Sequence, residues 1–450
     1  MVKKMKGLRI LGITMAMMMA VSGCGAAGSN DVTEAVTEAQ SEAVTENRTE
    51  AVSESEAEKS TETDEEETEK DVYVDDELVE WDTEDPVSNE ASKMIKNLST
   101  PVTIENESEY DFTAKAMEYM NYIGENLKDR GRENIATNQH DATIEWIKSE
   151  LKAAGFTEDQ IVDQIGQKGG APLNNIIVTV PGEDDSKQII AGAHFDGDGV
   201  GDNGSGTALL LATAVGLQGK KPHYTTKYIF FDGEEEGMLG SEMNVSEMSE
   251  EDIANTIYMI NMDAIAFGDY ANIYGGLNNC NDDYLRDEDS DKIPPMTDAY
   301  YFAAKTAKAL GFEVMGPEEL DGYFAEHETG PEINNKTFYT NPWTAKNPAP
   351  INDWGYSPAT IPASDHVFYM NSGIQYIYFE ATNWFAASSK SDDLSYTGYL
   401  ETYDESVGES GMFMNTKYDT LENLNELFPG RAEAHMHLYS PLLSALILAE

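Results

Sequence analysis

A three-layer α/β fold is predicted by the alternation of short β-rich runs with helical stretches, and by polar side chains that follow several of those runs. Five runs rich in β-branched and aromatic residues are separated by longer segments, some with helical periodicity. The runs cover residues 175–180, 188–191, 227–231, 256–260 and 375–379. Strands that alternate with helices form mainly parallel sheets covered on both faces. We therefore predict an α/β/α domain with a mainly parallel mixed sheet.

The N-terminus has the pattern of an export signal. Four basic side chains precede an apolar run from Ile10 to Val21, which is shorter than the roughly 20 residues that a membrane-spanning helix needs. The run ends in Val-Ser-Gly-Cys24, which resembles the lipobox of bacterial lipoproteins. This resemblance implies a signal peptide over residues 1–23, a lipid on Cys24 and a location on the extracytoplasmic face of the cell membrane. A cleaved signal peptide without a lipid is the alternative.

Residues 24–90 are predicted to be an acidic, disordered stalk. They consist mainly of Glu, Ser, Thr, Ala and Val, a composition that buries too little apolar surface to fold. An interaction tail is the other interpretation of this segment. Besides Cys24 the sequence contains only Cys280, so a lipid on Cys24 leaves no intramolecular disulfide. The hydrophobic core of a single domain, residues 91–450, must then hold the fold.

The formal net charge of −54 excludes one class of partner. The stalk accounts for only part of this charge, so the predicted domain is itself acidic. Proteins that bind nucleic acid need a basic face for the phosphates. No nucleic-acid partner is therefore expected.

Three helices are predicted around the first strands. The first covers residues 112–127, and the second covers 142–154 and ends at Gly155, because glycine readily adopts the left-handed conformation that terminates helices. The third covers 207–217 and follows a glycine-rich turn at 201–206. These helices would cover the faces of the sheet.

Side chains of the kinds that bind metals follow three of the β-rich runs. They are His194 with Asp196, the acidic triplet 234–236, and Asp263. The carboxyl ends of strands in an α/β sheet meet at one edge, and this is where sites form. Each cluster alone is weak evidence, because acidic strand ends are usually solvated.

Six segments resemble the M28 family of co-catalytic zinc peptidases and occur in the order typical of that family. They are 194–196, 201–206, 234–241, 261–263, 364–368 and 416–420. The resemblance runs from about residue 110 to the last residue. It implies the zinc-dependent exopeptidase fold, which is phosphorylase/hydrolase-like, and a peptide hydrolase of the aminopeptidase type with peptide substrates.

The same resemblance implies roles for individual residues. One zinc ion would be bound by His194, Asp202 and Asp263. Asp202 would bridge to a second zinc ion, which Glu235 would also bind. Glu234 would be the general base that takes a proton from the attacking water.

The resemblance also implies a set of supporting residues. Asp196 would orient the ring of His194 and fix its tautomer. Asp365 and His366 would support the site or contact the substrate. Glu236 falls at a variable position and is expected to be a solvated charge.

One position departs from the family pattern. Asn415 stands where the family has the last histidine ligand of the second zinc site. An amide oxygen is a weaker zinc ligand than imidazole. We therefore expect one firmly bound zinc ion and one weak site, unless His366 or His327 replaces the missing ligand.

Three functions remain open. The first is a zinc aminopeptidase, whose specificity would come from the aromatic-rich segment 323–356, unless that segment is a surface loop that packs on itself. The second is a non-catalytic binding protein on the same fold, which Asn415 favours. The third is a glutaminyl cyclase on a related fold, against which the altered second site argues.

Overall fold

The computed structural model describes residues 86–132, 135–168, 171–276, 296–327, 331, 334–340, 358–360, 363–382, 414 and 416–450. The chain divides into two units, Met1–Glu80 and Trp81–Glu450, and all described residues lie in the second. The predicted signal peptide, Cys24 and almost all of the predicted stalk lie outside the described residues. The first described helix begins at Pro86, before the domain boundary predicted at residue 91.

Eleven α-helices are present in the described part of the chain. They are α1 Pro86–Asn97, α2 Thr113–Asn126, α3 His140–Ala154, α4 Gly204–Leu217, α5 Leu239–Glu247, α6 Glu250–Asn255, α7 Asp298–Ala309, α8 Pro317–Glu326, α9 His366–Asn371, α10 Leu421–Leu427 and α11 Arg431–Ile447. A short 3₁₀ helix covers Glu107–Glu109. In this part of the chain, no helix is both long and apolar enough to cross a membrane.

Nine strands of the described residues form one mixed sheet. They are β1 Ile161–Lys168, β2 Ala171–Val180, β3 Asp184–His194, β4 Tyr224–Phe231, β5 Thr256–Met262, β6 Tyr270–Tyr274, β7 Glu313–Met315, β8 Thr337–Tyr339 and β9 Tyr376–Thr382. Their spatial order is β1-β2-β4-β3-β5-β9-β6-β8-β7. The pairs β1–β2, β2–β4 and β6–β9 are antiparallel, and the other five pairs are parallel. The prediction of a mainly parallel mixed sheet is confirmed.

Helices cover both faces of this sheet, because the central strands bury side chains on both sides. On β3, Ile189 and Ala191 pack in the large core that includes α2, α4 and α11. The intervening Ile190 points the other way and packs in a separate core with Val245 of α5 and Tyr369 of α9. Alternate side chains of a strand point to opposite faces, so this pattern gives the three-layer arrangement.

The sequence located the central elements well and the short outer strands poorly. The helices predicted at 112–127, 142–154 and 207–217 are α2, α3 and α4, and Gly155 ends α3 with φ +108° as predicted. All five predicted strands exist and are longer than the β-rich runs. Strands β1, β6, β7 and β8 were not predicted. Two of them, β7 and β8, have only three residues each, too few for a periodic pattern.

Candidate metal centre

Three neighbouring parallel strands end at the same edge of the sheet and deliver the predicted site residues there. β3 lies between β4 and β5 and pairs with both in parallel. His194 is the last residue of β3, Asp263 follows β5 directly, and the acidic turn 232–236 follows β4. Because the carboxyl ends of these strands coincide, residues distant in sequence meet in one place.

His194, Asp202 and Asp263 form a buried group whose ligand atoms all lie within 4.8 Å of one another. Nε2 of His194 is 3.1 Å from Oδ1 of Asp202 and 3.3 Å from Oδ1 of Asp263. An Oε2 atom of Glu234 lies 3.9 Å from the same nitrogen. One imidazole and two carboxylates within this distance are a donor set suited to a single zinc ion.

The protonation of the group reflects its crowded negative charge. Burial lowers the pKa of His194, but the charges of Asp263 and Glu234 outweigh burial and raise this pKa well above its ordinary value. Burial and the charge of Asp263 raise the pKa of Asp202 to about 6. Burial also raises the pKa values of Glu234 and Glu235 well above normal. Such a concentration of buried carboxylates favours binding of a cation.

Asp196 supports two parts of the site. Its Oδ1 atom lies 3.5 Å from Nδ1 of His194, on the side of the ring away from Asp202 and Asp263. The two carboxylate oxygens also accept hydrogen bonds from the backbone N–H groups of Glu234, at 3.1 Å, and Glu235, at 3.3 Å. The resemblance implied only the contact with His194. Asp196 thus joins the end of β3 to the acidic turn as well.

The glycine-rich turn before α4 is fixed by side chains of α4 and its N-cap. Asn203 accepts a hydrogen bond from Gly206 N–H and donates one to the carbonyl of Met262. Ser205 donates to the carbonyl of Gly201 and accepts from Ile265 N–H. These bonds connect the turn that carries Asp202 to the segment that carries Asp263.

Asp419 and Arg130 also make hydrogen bonds that hold the glycine-rich turn and the segment before it. The sequence analysis assigned neither residue a role. Asp419 accepts hydrogen bonds from the N–H groups of Gly201, at 2.6 Å, and Asp202, at 3.1 Å. Arg130 is buried and donates to the carbonyls of Phe195 and Gly199. Asp419 belongs to the matched segment 416–420, so its signal was present in the sequence, whereas Arg130 lies outside all six segments.

Asp365 and His366 are fully buried, and both lie near enough to Asp263 for its charge to contribute an increase to the pKa of each. Burial raises the pKa of Asp365 to about 7, and its charge in turn raises the pKa of Glu234. His366 is stacked between Tyr376 and Tyr378, with ring centroids 4.5 and 4.7 Å away. His366 does not belong to the metal-binding group found among the described residues.

Ser364 connects Asp263 to β5. Its hydroxyl donates to Oδ2 of Asp263 at 2.7 Å, and its oxygen accepts from the side-chain amide of Asn261 at 2.7 Å. Oδ2 of Asp263 is thus occupied by Ser364, and Oδ1 faces His194. This bond leaves Oδ1 directed at the metal-binding group.

Glu236 is exposed, as expected for a solvated charge. Its Oε2 atom also accepts a hydrogen bond from the buried guanidinium of Arg132, a partner that no sequence pattern indicated. Asn415 lies outside the described residues, and so does most of the segment 323–356 that was expected to set specificity. Within that segment, Phe338 and Tyr339 are buried in β8 and belong to the core.

The comparison with protein families bears on this part of the chain. Residues 175–301 match the family model of Peptidase family M28. His194, Asp202, Glu234, Glu235 and Asp263 all lie inside the match. The resemblance to M28 peptidases is therefore supported for the segment that carries the metal-binding group, while Asp365, His366 and Asn415 fall outside it.

Curated relatives match over a similar stretch. The chain is 34% identical over 130 residues to leupeptin-inactivating enzyme 1 of Streptomyces exfoliatus, which is 28% of this chain and 29% of the relative. It is 32% identical over 107 residues to leucine aminopeptidase 2 of Trichophyton rubrum, 23% of this chain and 22% of the relative. It is 34% identical over 98 residues to a probable lipoprotein aminopeptidase of Mycobacterium tuberculosis, 20% of this chain and 19% of the relative. The chain thus spans less than a third of the length of these relatives.

Solved structures with a similar fold have low sequence identity. A glutaminyl cyclase from an Acidobacteriales bacterium is 16% identical, with a TM-score of 0.49 over 75% of this chain and 94% of that chain. A Zn-dependent exopeptidase from Parabacteroides distasonis is 17% identical, with a TM-score of 0.46 over 75% of this chain and 97% of that chain.

Proposed function

We propose that this protein is a zinc-dependent aminopeptidase that removes N-terminal residues from extracellular peptides. The observation that carries the proposal is the buried group of His194, Asp202 and Asp263, with the carboxylate of Glu234 beside it. The match of residues 175–301 to Peptidase family M28 supports it independently. In a site of this kind, water activated by the bound metal would attack the peptide bond.

The residues present fit a zinc ion. His194 directs Nε2 at two carboxylates and has Nδ1 near Asp196, the arrangement in which a histidine ligand is oriented by a carboxylate behind it. Oε1 of Glu235 is buried without a hydrogen-bond partner among the described residues. A buried carboxylate oxygen without a partner is costly unless a cation compensates it, so Glu235 is suited to a second ion. When bound, zinc would polarise the scissile carbonyl and lower the pKa of water at the site.

Glu234 is suited to act as the general base. Burial raises the pKa of its carboxyl group well above that of an ordinary glutamate, so this side chain binds a proton more readily than an exposed glutamate does. Asp196 holds the backbone N–H of Glu234, and so fixes where the side chain begins. Glu234 would take a proton from the attacking water and deliver it to the departing amine.

The choice of an aminopeptidase rests on charge and on the relatives. A free α-amino group is cationic, and the site concentrates carboxylates that would attract it. Relatives over the matched segment include proteins named leucine aminopeptidase and lipoprotein aminopeptidase. Peptide substrates of this chain would therefore be bound through their N-terminal ends.

The decisive experiment compares three peptides with the full-length chain, first stripped of metal and then supplied with zinc. One peptide has a free N-terminal leucine, the second has the same sequence with an acetylated N-terminus, and the third begins with glutamine. We expect zinc-dependent release of leucine from the first and no cleavage of the second. Zinc binding without any turnover would instead indicate a binding protein, and cyclisation of the third peptide without hydrolysis would indicate a glutaminyl cyclase.

We further propose that Cys24 carries a lipid that holds the protein at the extracytoplasmic face of the membrane. The lipobox-like sequence ending at Cys24 supports this, and so does the similarity to a relative named as a lipoprotein aminopeptidase. Two acyl chains suffice for stable attachment. Cys24→Ser should therefore move the protein from the membrane fraction to the soluble fraction without changing its thermal unfolding. A variant that stays in the membrane fraction without detergent would contradict the proposal.

A further inference from the structure

The acidic turn that carries Glu234 and Glu235 rests on a buried arginine. The side chain of Arg132 is fully buried, and Nη1 donates to Oε2 of Glu236 at 2.5 Å. Its Nε atom lies 3.7 Å from Oδ1 of Asp232, and both of these side chains are fully buried. One guanidinium therefore contacts the residues at both ends of the turn, Asp232 and Glu236.

The first end of the turn is itself firmly anchored. Asp232 accepts a hydrogen bond from Asn174 N–H at 2.8 Å, and its other oxygen lies 2.9 Å from Nε2 of His140. Gly233 follows with φ +75°, and a Cβ atom at this position would lie 3.1 Å from Nη1 of Arg132. The backbone of the turn therefore packs directly on the guanidinium, in a conformation that glycine tolerates.

The opposite side of the turn is held by Asp196, which accepts the N–H groups of Glu234 and Glu235. The turn is thus fixed between a carboxylate on the side of His194 and a guanidinium on the side of β2, where Arg132 also donates to the carbonyl of Pro172. The two groups that hold the turn differ in charge, since Asp196 is acidic and Arg132 is basic. Arg132 places a positive charge among acidic side chains that would otherwise repel one another.

We propose that Arg132 is a positioning residue that sets the place of the Glu234 carboxylate through its contacts with Asp232 and Glu236. The inference rests on the proposed function, because it concerns the residue assigned as general base. The guanidinium of Arg132 meets the turn at Asp232 and Glu236, two residues before and two residues after Glu234, so its effect on the Glu234 carboxylate passes through the turn. Misplacement of a catalytic group by about 1 Å can cost about 100-fold in rate.

The experiment uses the full-length chain and three variants of this contact, with Glu118→Gln as a matched control. Glu118 makes an exposed ion pair with Lys115, so the control makes the same chemical change away from the site. We expect Glu236→Gln to lower kcat about 10-fold and Arg132→Met about 100-fold, with KM and the dissociation constant for zinc changed by less than about threefold. Arg132→Lys should recover part of the loss, because it restores the charge without the planar geometry of the guanidinium.

A second readout does not depend on activity. The N–H groups of Gly237 and Met238 donate to the carbonyl of Glu234, and Leu239 N–H donates to the carbonyl of Gly233. Amide hydrogen exchange at these positions should be faster in Glu236→Gln than in the wild-type chain and unchanged in Glu118→Gln. If Arg132→Met fails to fold, Glu236→Gln and Arg132→Lys still test the inference.

The outcomes separate this inference from the proposed function. A wild-type chain that cleaves no peptide, combined with faster exchange in Glu236→Gln, would refute the peptidase and retain the role of Arg132 in placing the turn. Wild-type kcat and unchanged exchange in Glu236→Gln would overturn the inference. Equal loss of zinc affinity and activity in Arg132→Lys would also overturn it, because the arginine would then support the ligands rather than Glu234.

Discussion

His194 and His366 are both fully buried, and both lie near Asp263, yet their surroundings are opposite. His194 has carboxylates around both ring nitrogens, and their charges raise its pKa in spite of burial. His366 is stacked between Tyr376 and Tyr378, and burial lowers its pKa to about 3. Only the first histidine belongs to the metal-binding group of the described residues.

The difference shows that burial alone does not decide what a histidine can do. Desolvation acts on both rings in the same direction, so the sign of the final pKa shift depends on which neighbours the fold supplies. Both histidines stand near an aspartate in the sequence, as His194-Phe-Asp196 and as Asp365-His366. The aromatic neighbours of His366 come from β9, and no local sequence pattern around His366 predicts them.

The largest expected effect tests the group beside His194. Glu234→Gln should lower kcat by at least about 100-fold, because general-base catalysis contributes about 100- to 10,000-fold and an amide cannot accept the proton. Zinc content should remain as in the wild-type chain. Parallel loss of zinc and activity would identify Glu234 as a ligand, and the assignment within the acidic turn would then be shifted by one residue.

The second prediction separates the two histidines directly. His194→Ala should weaken zinc binding by well over the roughly 10- to 100-fold typical of losing a residue that only supports a ligand. His366→Phe preserves the aromatic stack and should leave the first zinc affinity within a few-fold of wild type. Competition titration with a chromophoric chelator measures both. A comparable loss in His366→Phe would make His366 a ligand and remove the distinction.

The third prediction concerns the second metal site. The purified chain should retain close to one zinc ion per molecule after dialysis, because the resemblance to M28 peptidases puts Asn415, with only an amide oxygen, at the position of a histidine ligand of the second ion. Asn415→His should tighten this second site by about 10- to 100-fold. Metal analysis after dialysis, followed by zinc titration, tests both statements. Two ions that resist dialysis in the unmodified chain would contradict them and make a replacement ligand the next question.

The smallest effect is on stability, and it comes from the aromatic surroundings of His366. The folded protein keeps this ring neutral down to a pH of about 3, whereas a histidine in the unfolded chain binds a proton below about pH 6.5. The free energy of unfolding is therefore not reduced by protonation of His366 above pH 6.5, and it falls progressively as the pH drops towards 3. At pH 5 the loss from this residue is about 2 kcal/mol.

Denaturant unfolding of the metal-free chain and of His366→Phe at pH 7.5 and pH 5 measures this contribution. The variant should lose less free energy of unfolding between the two pH values than the wild-type chain does. His435, whose pKa burial also lowers to about 3, remains in both proteins and cancels in the comparison. Identical losses in the two proteins would show that His366 does not contribute.

The parts of the site that could be predicted from sequence lie at the ends of strands or just before a helix. His194 and Asp263 come at or just after the ends of β-rich runs, and Asp202 precedes an apolar helix, so each lies in a segment that the resemblance to M28 peptidases could match. The central strands were found for the same reason, because they are buried on both faces and read as continuous apolar runs.

Apart from the contact of Asp196 with His194, the supporting contacts could not be predicted, because they join segments distant in the chain. Arg132 reaches the turn at 232–236 and Asp419 reaches the turn at 201–202, and neither pairing leaves a periodic signal. The pairing of the exposed Glu236 with Arg132 was missed for this reason, since the two residues lie about a hundred positions apart. The three-residue strands β7 and β8 were missed because their pairing, rather than their composition, makes them strands.

Asn203 has a mechanical consequence for the metal-binding group. Its side-chain amide bonds to Gly206 N–H, to the carbonyl of Met262 and to Ala264 N–H, at 2.8, 2.8 and 3.3 Å. The start of α4 and the end of β5 are therefore linked through one short, rigid group that has only two torsion angles. When thermal motion displaces the helix layer relative to the sheet, the segments carrying Asp202 and Asp263 must shift together. The distance between these two carboxylates should therefore change little when the helix layer and the sheet move relative to each other.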